Sequence, residues 1–165
     1  LDKITSASKL LANLNIRVSL FIDPEKNQID AALATGVPVI ELHTGAYANT
    51  TGRDQMVELN RIVDAVSYAH KYGLIINAGH GLHYQNVQPI AQIKDINELN
   101  IGHSIIARSI FDGISSVTVK LDEVTSLPLG AIAVIVKSAS IPVHLLCIAL
   151  NPVVLPDVSV TLESA

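Results

Sequence analysis

Aromatic residues are scarce in this sequence of 165 residues, which has no tryptophan, four tyrosines and two phenylalanines. Because 49% of the residues are nevertheless hydrophobic, the core must be built mainly from Val, Ile, Leu and Ala. Parallel strands that are covered on both faces are rich in these aliphatic side chains. The composition therefore favours an α/β fold, and the length suits one domain.

Cysteine and clustered positive charge are also in short supply. The single cysteine, Cys147, cannot form a disulfide within the chain, which is typical of a reducing compartment. The formal net charge is −4, and the 11 Lys and Arg residues are scattered along the chain. Nucleic-acid binding needs concentrated positive charge, so the sequence argues against a nucleic-acid partner.

Hydrophobic periodicity predicts alternating helices and strands. The opening segment, residues 1–13, has the spacing of an amphipathic helix and lacks the layout of a signal peptide. Strands rich in β-branched residues are predicted at 16–22, 37–43, 74–78 and 99–102. Right-handed crossovers make this alternation a parallel sheet, either half of an eightfold barrel or an open doubly wound sheet.

The helices between these strands are marked by their end signals. Asp23 as N-cap and Pro24 at the first helical position predict a helix that stops at Gly36. A polar loop is predicted at 44–52, followed by a helix ending near Tyr72. Further helical segments are predicted around 90–93, at 104–111 and over 114–121.

Two strand ends carry a glycine followed by histidine, in Gly79-His80-Gly81 and in Gly102-His103-Ser104. Glycine allows backbone N–H groups to approach a ligand closely. Barrel enzymes often bind phosphate at the loops after late strands and at a helix N-terminus, which is the layout around residues 102–105. These turns favour the barrel alternative, although each histidine alone is equally compatible with a structural role.

Glu41 is the other conspicuous residue, because it lies between Ile40 and Leu42 in a predicted buried strand. A buried carboxylate is costly unless it is paired, so Glu41 should mark a site or a salt bridge. The remaining histidines show no metal-ligand spacing and are predicted to be structural or surface residues. They are His43, His70, His83 and His144.

Four segments together resemble successive motifs of the pyridoxine 5′-phosphate synthase family. They are RVSLFID at 17–23, IELHTG at 40–45, NAGHGL at 77–82 and ELNIGH at 98–103. The resemblance covers about residues 1–121 and implies the C-terminal half of a (β/α)₈ fold. We therefore expect a partial TIM (β/α)₈ barrel of about four parallel βα units.

The resemblance also implies an activity. Family members are transferases that condense 3-amino-2-oxopropyl phosphate with 1-deoxy-D-xylulose 5-phosphate in the cytoplasm, in vitamin B6 biosynthesis, with no metal or organic cofactor. By the same resemblance His80 is the proton donor and Glu41 stabilises the transition state, while Gly81, Gly102 and His103 bind substrate. Histidine suits this chemistry because its proton exchanges near neutral pH.

The family's earlier motifs, including Asn-x-Asp-His and a general-base glutamate, have no counterpart in the sequence. We therefore expect an incomplete site that is inactive alone, with the missing half encoded elsewhere. The expected partners are phosphorylated small molecules and either a homo-oligomer, an octamer in the family, or a complementary half-barrel. A non-catalytic phosphate-binding or assembly module and a degraded remnant of the enzyme remain as alternatives.

Residues 122–165 do not resemble the family and are expected to form an apolar C-terminal tail outside the 1–121 half-barrel. The segment 127–155 has a single charge, at Lys137. Lys137, His144 and several prolines interrupt it, so we predict that it does not span a membrane. A cover for exposed barrel surface and an unrelated tail are the two interpretations left open.

Overall fold

The structure is a computed structural model that describes residues 1–113 and the two-residue strands at 118–119, 132–133 and 158–159. Its helices are α1 (Asp2–Asn13), α2 (Lys26–Thr35), α3 (Gly45–Ala48), α4 (Gly52–Lys71), α5 (Val87–Ala91) and α6 (His103–Asp112). Its strands are β1 (Ser19–Ile22), β2 (Val39–His43), β3 (Ile75–Gly79), β4 (Ile96–Asn100), β5 (Thr118–Val119), β6 (Ile132–Ala133) and β7 (Val158–Ser159).

The first four strands form a parallel sheet in which each strand pairs with the next one along the chain. Strand β6 extends this sheet beside β4, and β5 pairs with β7 in antiparallel fashion. A doubly wound sheet reverses its strand order at a switch point, whereas a barrel keeps the sequential order. The predicted α/β fold is confirmed, and it is that of a partial (β/α)₈ barrel.

The two faces of the sheet have different surroundings. One face is covered by helices α2 and α4, and its core side chains are almost fully buried. They include Ile29, Ile40, Leu42, Ile62, Val66, Ile76 and Leu99. The opposite face is partly open, with Phe21 54% exposed and Ile75 38% exposed. The strands are therefore not covered on both faces, and we call the second one the open face.

A register shift places the polar residues of β4 on the open face. Ile76 pairs with Ile96 and Asn77 pairs with Glu98, so Asn97 is skipped in the pairing. Such an extra residue is the property of a β-bulge, which redirects the side chains that follow it. As a result Ile96 and Leu99 are both buried, and Glu98 and Asn100 pair with residues of the open face.

The prediction that Asp23 caps α2 is wrong. The helix begins at Lys26, and its N-cap is Glu25, whose backbone is extended. The Asp23 carboxylate instead lies 3.3 Å from Nδ1 of His43 on the adjacent strand. A ring nitrogen at that distance competes with helix capping for the same oxygen atoms. The predicted stop at Gly36 is confirmed, since this residue is the C-cap with a φ of 79°.

Other boundaries differ from the predictions by a few residues. The loop predicted at 44–52 contains the one-turn helix α3, and β4 begins at Ile96 and ends before Gly102. The segment 114–121 and the tail 122–165 lie outside the described residues apart from their two-residue strands, so the division near residue 121 stays a prediction. None of the helices in the described part of the chain is both long and apolar enough to cross a bilayer.

Candidate active site

A cleft of about 810 Å³ lies where the carboxyl ends of β2, β3 and β4 meet α6. The five site residues proposed from the sequence all line it: Glu41, His80, Gly81, Gly102 and His103. In a parallel α/β fold this end of the sheet is where ligands bind. The two Gly-His turns, which are distant in sequence, therefore contribute to one cleft.

The backbone at His80 adopts a conformation that few residues other than glycine tolerate. His80 has a φ of 81°, and Gly81 follows with a φ of 77°. Buried Thr44 supports this bend, because its backbone N–H donates to the Gly79 carbonyl over 2.8 Å. Its hydroxyl oxygen lies 2.7 Å from the Gly79 carbonyl oxygen and 2.6 Å from that of His80, so it can donate to either one. Strain of this kind persists only where the surrounding structure fixes it.

Polar contacts also hold the loop that follows His80. The side-chain amide of Asn86 donates to the Gly81 carbonyl over 3.2 Å, and its oxygen accepts from the His83 N–H over 2.7 Å. The Tyr47 hydroxyl donates to the Asn86 carbonyl over 2.7 Å. The Ser104 hydroxyl donates to the Leu82 carbonyl over 3.0 Å and so connects the loop to α6. These bonds keep one wall of the cleft in a fixed place.

Glu41 reaches across the sheet at a position where the middle strand has no side chain. The amide nitrogen of Asn100 on β4 donates to Oε2 of Glu41 on β2 over 2.8 Å. A Cβ on Gly79, which lies between them, would be 2.6 Å from Oε1 of Glu41 and 2.9 Å from Cβ of Asn100. Glycine at position 79 is therefore what allows the carboxylate and the amide to meet.

The N-terminus of α6 faces the same cleft. Gly102 is the N-cap, and the first α-helical bond is donated by Ile106 to the Gly102 carbonyl over 3.0 Å. The backbone N–H groups of His103, Ser104 and Ile105 precede that bond, and the first turn of the helix contains no acidic side chain. Such an arrangement favours an anion, because the N–H groups and the helix dipole both present positive potential.

A second carboxylate lies further along β4. Glu98 accepts a hydrogen bond from the Asn77 amide over 3.2 Å. Burial raises the pKa of Glu98, while the charge of Arg17 and a hydrogen bond from Asn100 act in the opposite direction. Asn100 therefore interacts with Glu98 as well as with Glu41.

Histidine rings pack together beside the cleft. The His43 and His80 ring centroids are 4.6 Å apart, and Phe21 packs edge-on against His43 at 5.2 Å. Among residues 1–113 and the short described strands, the structure has no group of three or more His, Cys, Asp or Glu side chains suited to a metal ion.

Three residues with a part in this arrangement were not singled out as site residues from the sequence. The sequence predicts His43 to be a structural or surface residue and places Thr44 in the polar loop at 44–52, and Asn100 appears only as part of the motif at 98–103. The sequence does contain a signal for Asn100. Side chains two residues apart on a strand point to the same face, and Asn100 lies two residues before Gly102, a predicted site residue. No sequence pattern reveals that Asp23 faces His43.

Comparison with known proteins extends these observations. Residues 1–126 match the family described as Pyridoxal phosphate biosynthesis protein PdxJ. The chain is 57% identical over 115 residues to the pyridoxine 5′-phosphate synthase of Pseudoalteromonas translucida, which covers 69% of this chain and 47% of that protein. It is 56% identical over 115 residues to the enzyme of that name from Colwellia psychrerythraea, with the same two coverages.

A third relative, the pyridoxine 5′-phosphate synthase of Photobacterium profundum, is 53% identical over 116 residues, or 70% of this chain and 48% of that protein. The chain thus spans about half the length of the curated relatives that it matches. The family match extends over most of the length of this chain and includes both Gly-His turns. This chain therefore belongs to the PdxJ family of pyridoxal phosphate biosynthesis proteins.

Proposed function

We propose that this chain supplies one half of the active site of a pyridoxine 5′-phosphate synthase. The reaction condenses 3-amino-2-oxopropyl phosphate with 1-deoxy-D-xylulose 5-phosphate and releases inorganic phosphate and water. The observation that supports it best is that His80, Glu41 and the N-terminus of α6 line one cleft. Relatives carrying this enzyme's name share more than half of the aligned residues.

In this proposal a substrate phosphate binds at Gly102 and His103. The backbone N–H groups of the first turn of α6 are available to its oxygen atoms, and the imidazole of His103 lines the same space. Gly81 adds backbone to the lining of the same cleft. A phosphate held there would place the reactive carbons of the substrate towards His80 and Glu41.

His80 then acts as the proton donor, and Glu41 stabilises cationic imine intermediates. Ring closure requires imine formation and dehydration, and each leaving hydroxyl group needs a proton. The Glu41 carboxylate is held across Gly79 by Asn100, so its negative charge has a fixed position when positive charge develops on the substrate nitrogen.

We also propose that this half of the site works together with a complementary half-barrel or with neighbouring copies in a homo-oligomer, in the cytoplasm. The open face supports this proposal, because Phe21 and Ile75 expose apolar surface that a complete barrel would enclose. Light scattering coupled to size-exclusion chromatography should then show a species larger than a monomer, and a monomer at all concentrations would count against it.

The direct test is an activity assay of this chain with and without an N-terminal half-barrel. We expect the purified chain alone to form no pyridoxine 5′-phosphate, and a mixture with an N-terminal half-barrel bearing the Asn-x-Asp-His motif to form it. His80→Gln should abolish product in the mixture. His70→Gln is the matched control, because His70 lies on α4 with its side chain 60% exposed. An inactive mixture of two folded and associated halves would refute the proposed activity.

A non-catalytic phosphate-binding module is the second candidate, and the free backbone N–H groups at the N-terminus of α6 favour it. It predicts that inorganic phosphate shifts the backbone amide signals of His103 and Ser104 while the mixture of halves stays inactive. The two candidates thus share the anion site and differ in the activity of the mixture.

A further inference from the structure

His43 has an arrangement that its assignment as a structural residue does not explain. It is the last residue of β2 and pairs with Gly79, directly before the His80 bend. Its ring lies 4.6 Å from the His80 ring, centroid to centroid, with 45° between the planes. His43 itself does not belong to the lining of the cleft, whereas His80 does.

The space for this ring pair depends on a neighbouring glycine. A Cβ on Gly45 would lie 2.7 Å from Cε1 and 2.8 Å from Nε2 of His43, and 3.1 Å from Cδ2 of His80. Any larger residue at position 45 would therefore displace one or both rings. Phe21 closes the other side, with its ring centroid 5.2 Å from that of His43 and 6.4 Å from that of His80.

Asp23 holds the far edge of the His43 ring. Its Oδ1 lies 3.3 Å from Nδ1 of His43, and a carboxylate facing one ring nitrogen favours the tautomer with the proton on that nitrogen. The position of the His43 ring is thus fixed by Asp23 at one edge, by the Phe21 ring, and by the space that Gly45 leaves free.

We infer that His43, anchored by Asp23, is a positioning residue that fixes the imidazole of His80 in the cleft. Thr44 fixes the backbone of the bend at His80, and His43, the residue before Thr44, fixes the His80 ring. The functional meaning of this inference rests on the proposed role of His80 as proton donor. The structural claim, that the His43 ring restrains the His80 ring, can be measured without substrate.

The test is NMR spectroscopy of the ring carbons and protons of His80 in the full 165-residue chain. In His43→Ala we expect the His80 ring signals to shift and their relaxation to show added motion. Asp23→Ala should loosen the ring in the same direction. This second variant also protects the test against misfolding, because the Asp23 side chain is 60% exposed.

His70→Ala serves as the matched control. His70 also faces an aspartate, Asp95, at 3.9 Å, but it lies outside the cleft. It should leave the His80 signals unchanged, and unchanged methyl signals of Ile40 and Leu42 would show that the core is intact. If the His80 ring is as ordered in a folded His43→Ala or Asp23→Ala variant as in the parent chain, the inference is overturned.

Kinetics of the reconstituted two-chain enzyme give an independent readout. Misplacement of a reacting group by about 1 Å can lower the rate by about 100-fold. We therefore expect His43→Ala to lower kcat by about 10-fold to 100-fold with little change in KM, since His43 does not line the cleft. Loss of order at His80 in an inactive assembly would support the positioning role and refute the proposed activity, so the two failures are distinguishable.

Discussion

Replacing Gly79 by alanine tests whether β3 must lack a side chain at this position for Glu41 and Asn100 to form their hydrogen bond. The added Cβ would lie 2.6 Å from Oε1 of Glu41, 2.8 Å from the Asn100 carbonyl oxygen and 2.9 Å from Cβ of Asn100. Two of these three neighbours belong to a paired strand and cannot rotate away. Overpacking of this kind typically costs about 1–3 kcal/mol.

An opposing contribution comes from the unfolded chain. Alanine has less conformational freedom than glycine, which stabilises a folded protein by about 0.4–1 kcal/mol where the backbone tolerates it. Gly79 is not among the residues with positive φ, so alanine meets no backbone strain there. We therefore expect a net loss of about 1–2 kcal/mol in the free energy of unfolding.

The assay is urea unfolding at one fixed protein concentration, because any association of the chain would contribute to its stability. Gly36→Ala is the matched control: a Cβ there meets nothing within 4 Å, and only its φ of 79° opposes alanine. In a double-mutant cycle, Glu41→Ala should relieve part of the cost of Gly79→Ala, giving non-additive values. Unchanged stability in Gly79→Ala, or strict additivity with Glu41→Ala, would refute the proposed crowding.

Three further predictions concern stability in urea. Thr44→Val should cost about 1–3 kcal/mol, because it removes the hydroxyl donor shared by the Gly79 and His80 carbonyl groups, and an unchanged midpoint would contradict this. His80→Gly should be about 1 kcal/mol more stable than His80→Ala, since the φ of 81° strains alanine but not glycine; equal midpoints would show that the bend relaxes. Titration of Glu98 should make the free energy of unfolding fall as pH rises from 4.5, its ordinary pKa, towards its raised pKa in the folded chain. The reason is that the folded chain holds this proton more tightly than the unfolded chain over that interval. Glu98→Gln should flatten this dependence, and a persistent fall in the variant would assign it to another group.

Much of the fold follows from local sequence signals. Aliphatic runs gave the four parallel strands, and Gly36 ended α2 where its left-handed conformation was needed. The bounds of β4 were harder to predict because Asn97 breaks the alternation of the strand: the predicted strand 99–102 begins three residues and ends two residues after the observed one. The predicted start of α2 at Asp23 and Pro24 was wrong because the Asp23 carboxylate contacts His43 on the neighbouring strand instead of capping the helix.

The residues of the candidate site were likewise only partly predictable from local sequence patterns. The Gly-His turns stand out in the sequence, because glycine beside histidine at a strand end is a local pattern. The partners that hold them are set by sheet pairing: Asn100 meets Glu41 only because β2, β3 and β4 are adjacent and in register. Such cross-strand neighbours are 59 residues apart in the chain, beyond the reach of any local pattern.

The skipped residue gives β4 one residue more than its pairing with β3 needs. Deleting Asn97 would leave Ile96 and Leu99 in the core and Asn100 beside Gly79, because the remaining residues already alternate in register with β3. Deleting Leu99 would instead bring Asn100 to the buried face and take its amide away from Glu41. We therefore expect β4 to tolerate a shorter chain at the bulge and nowhere after it.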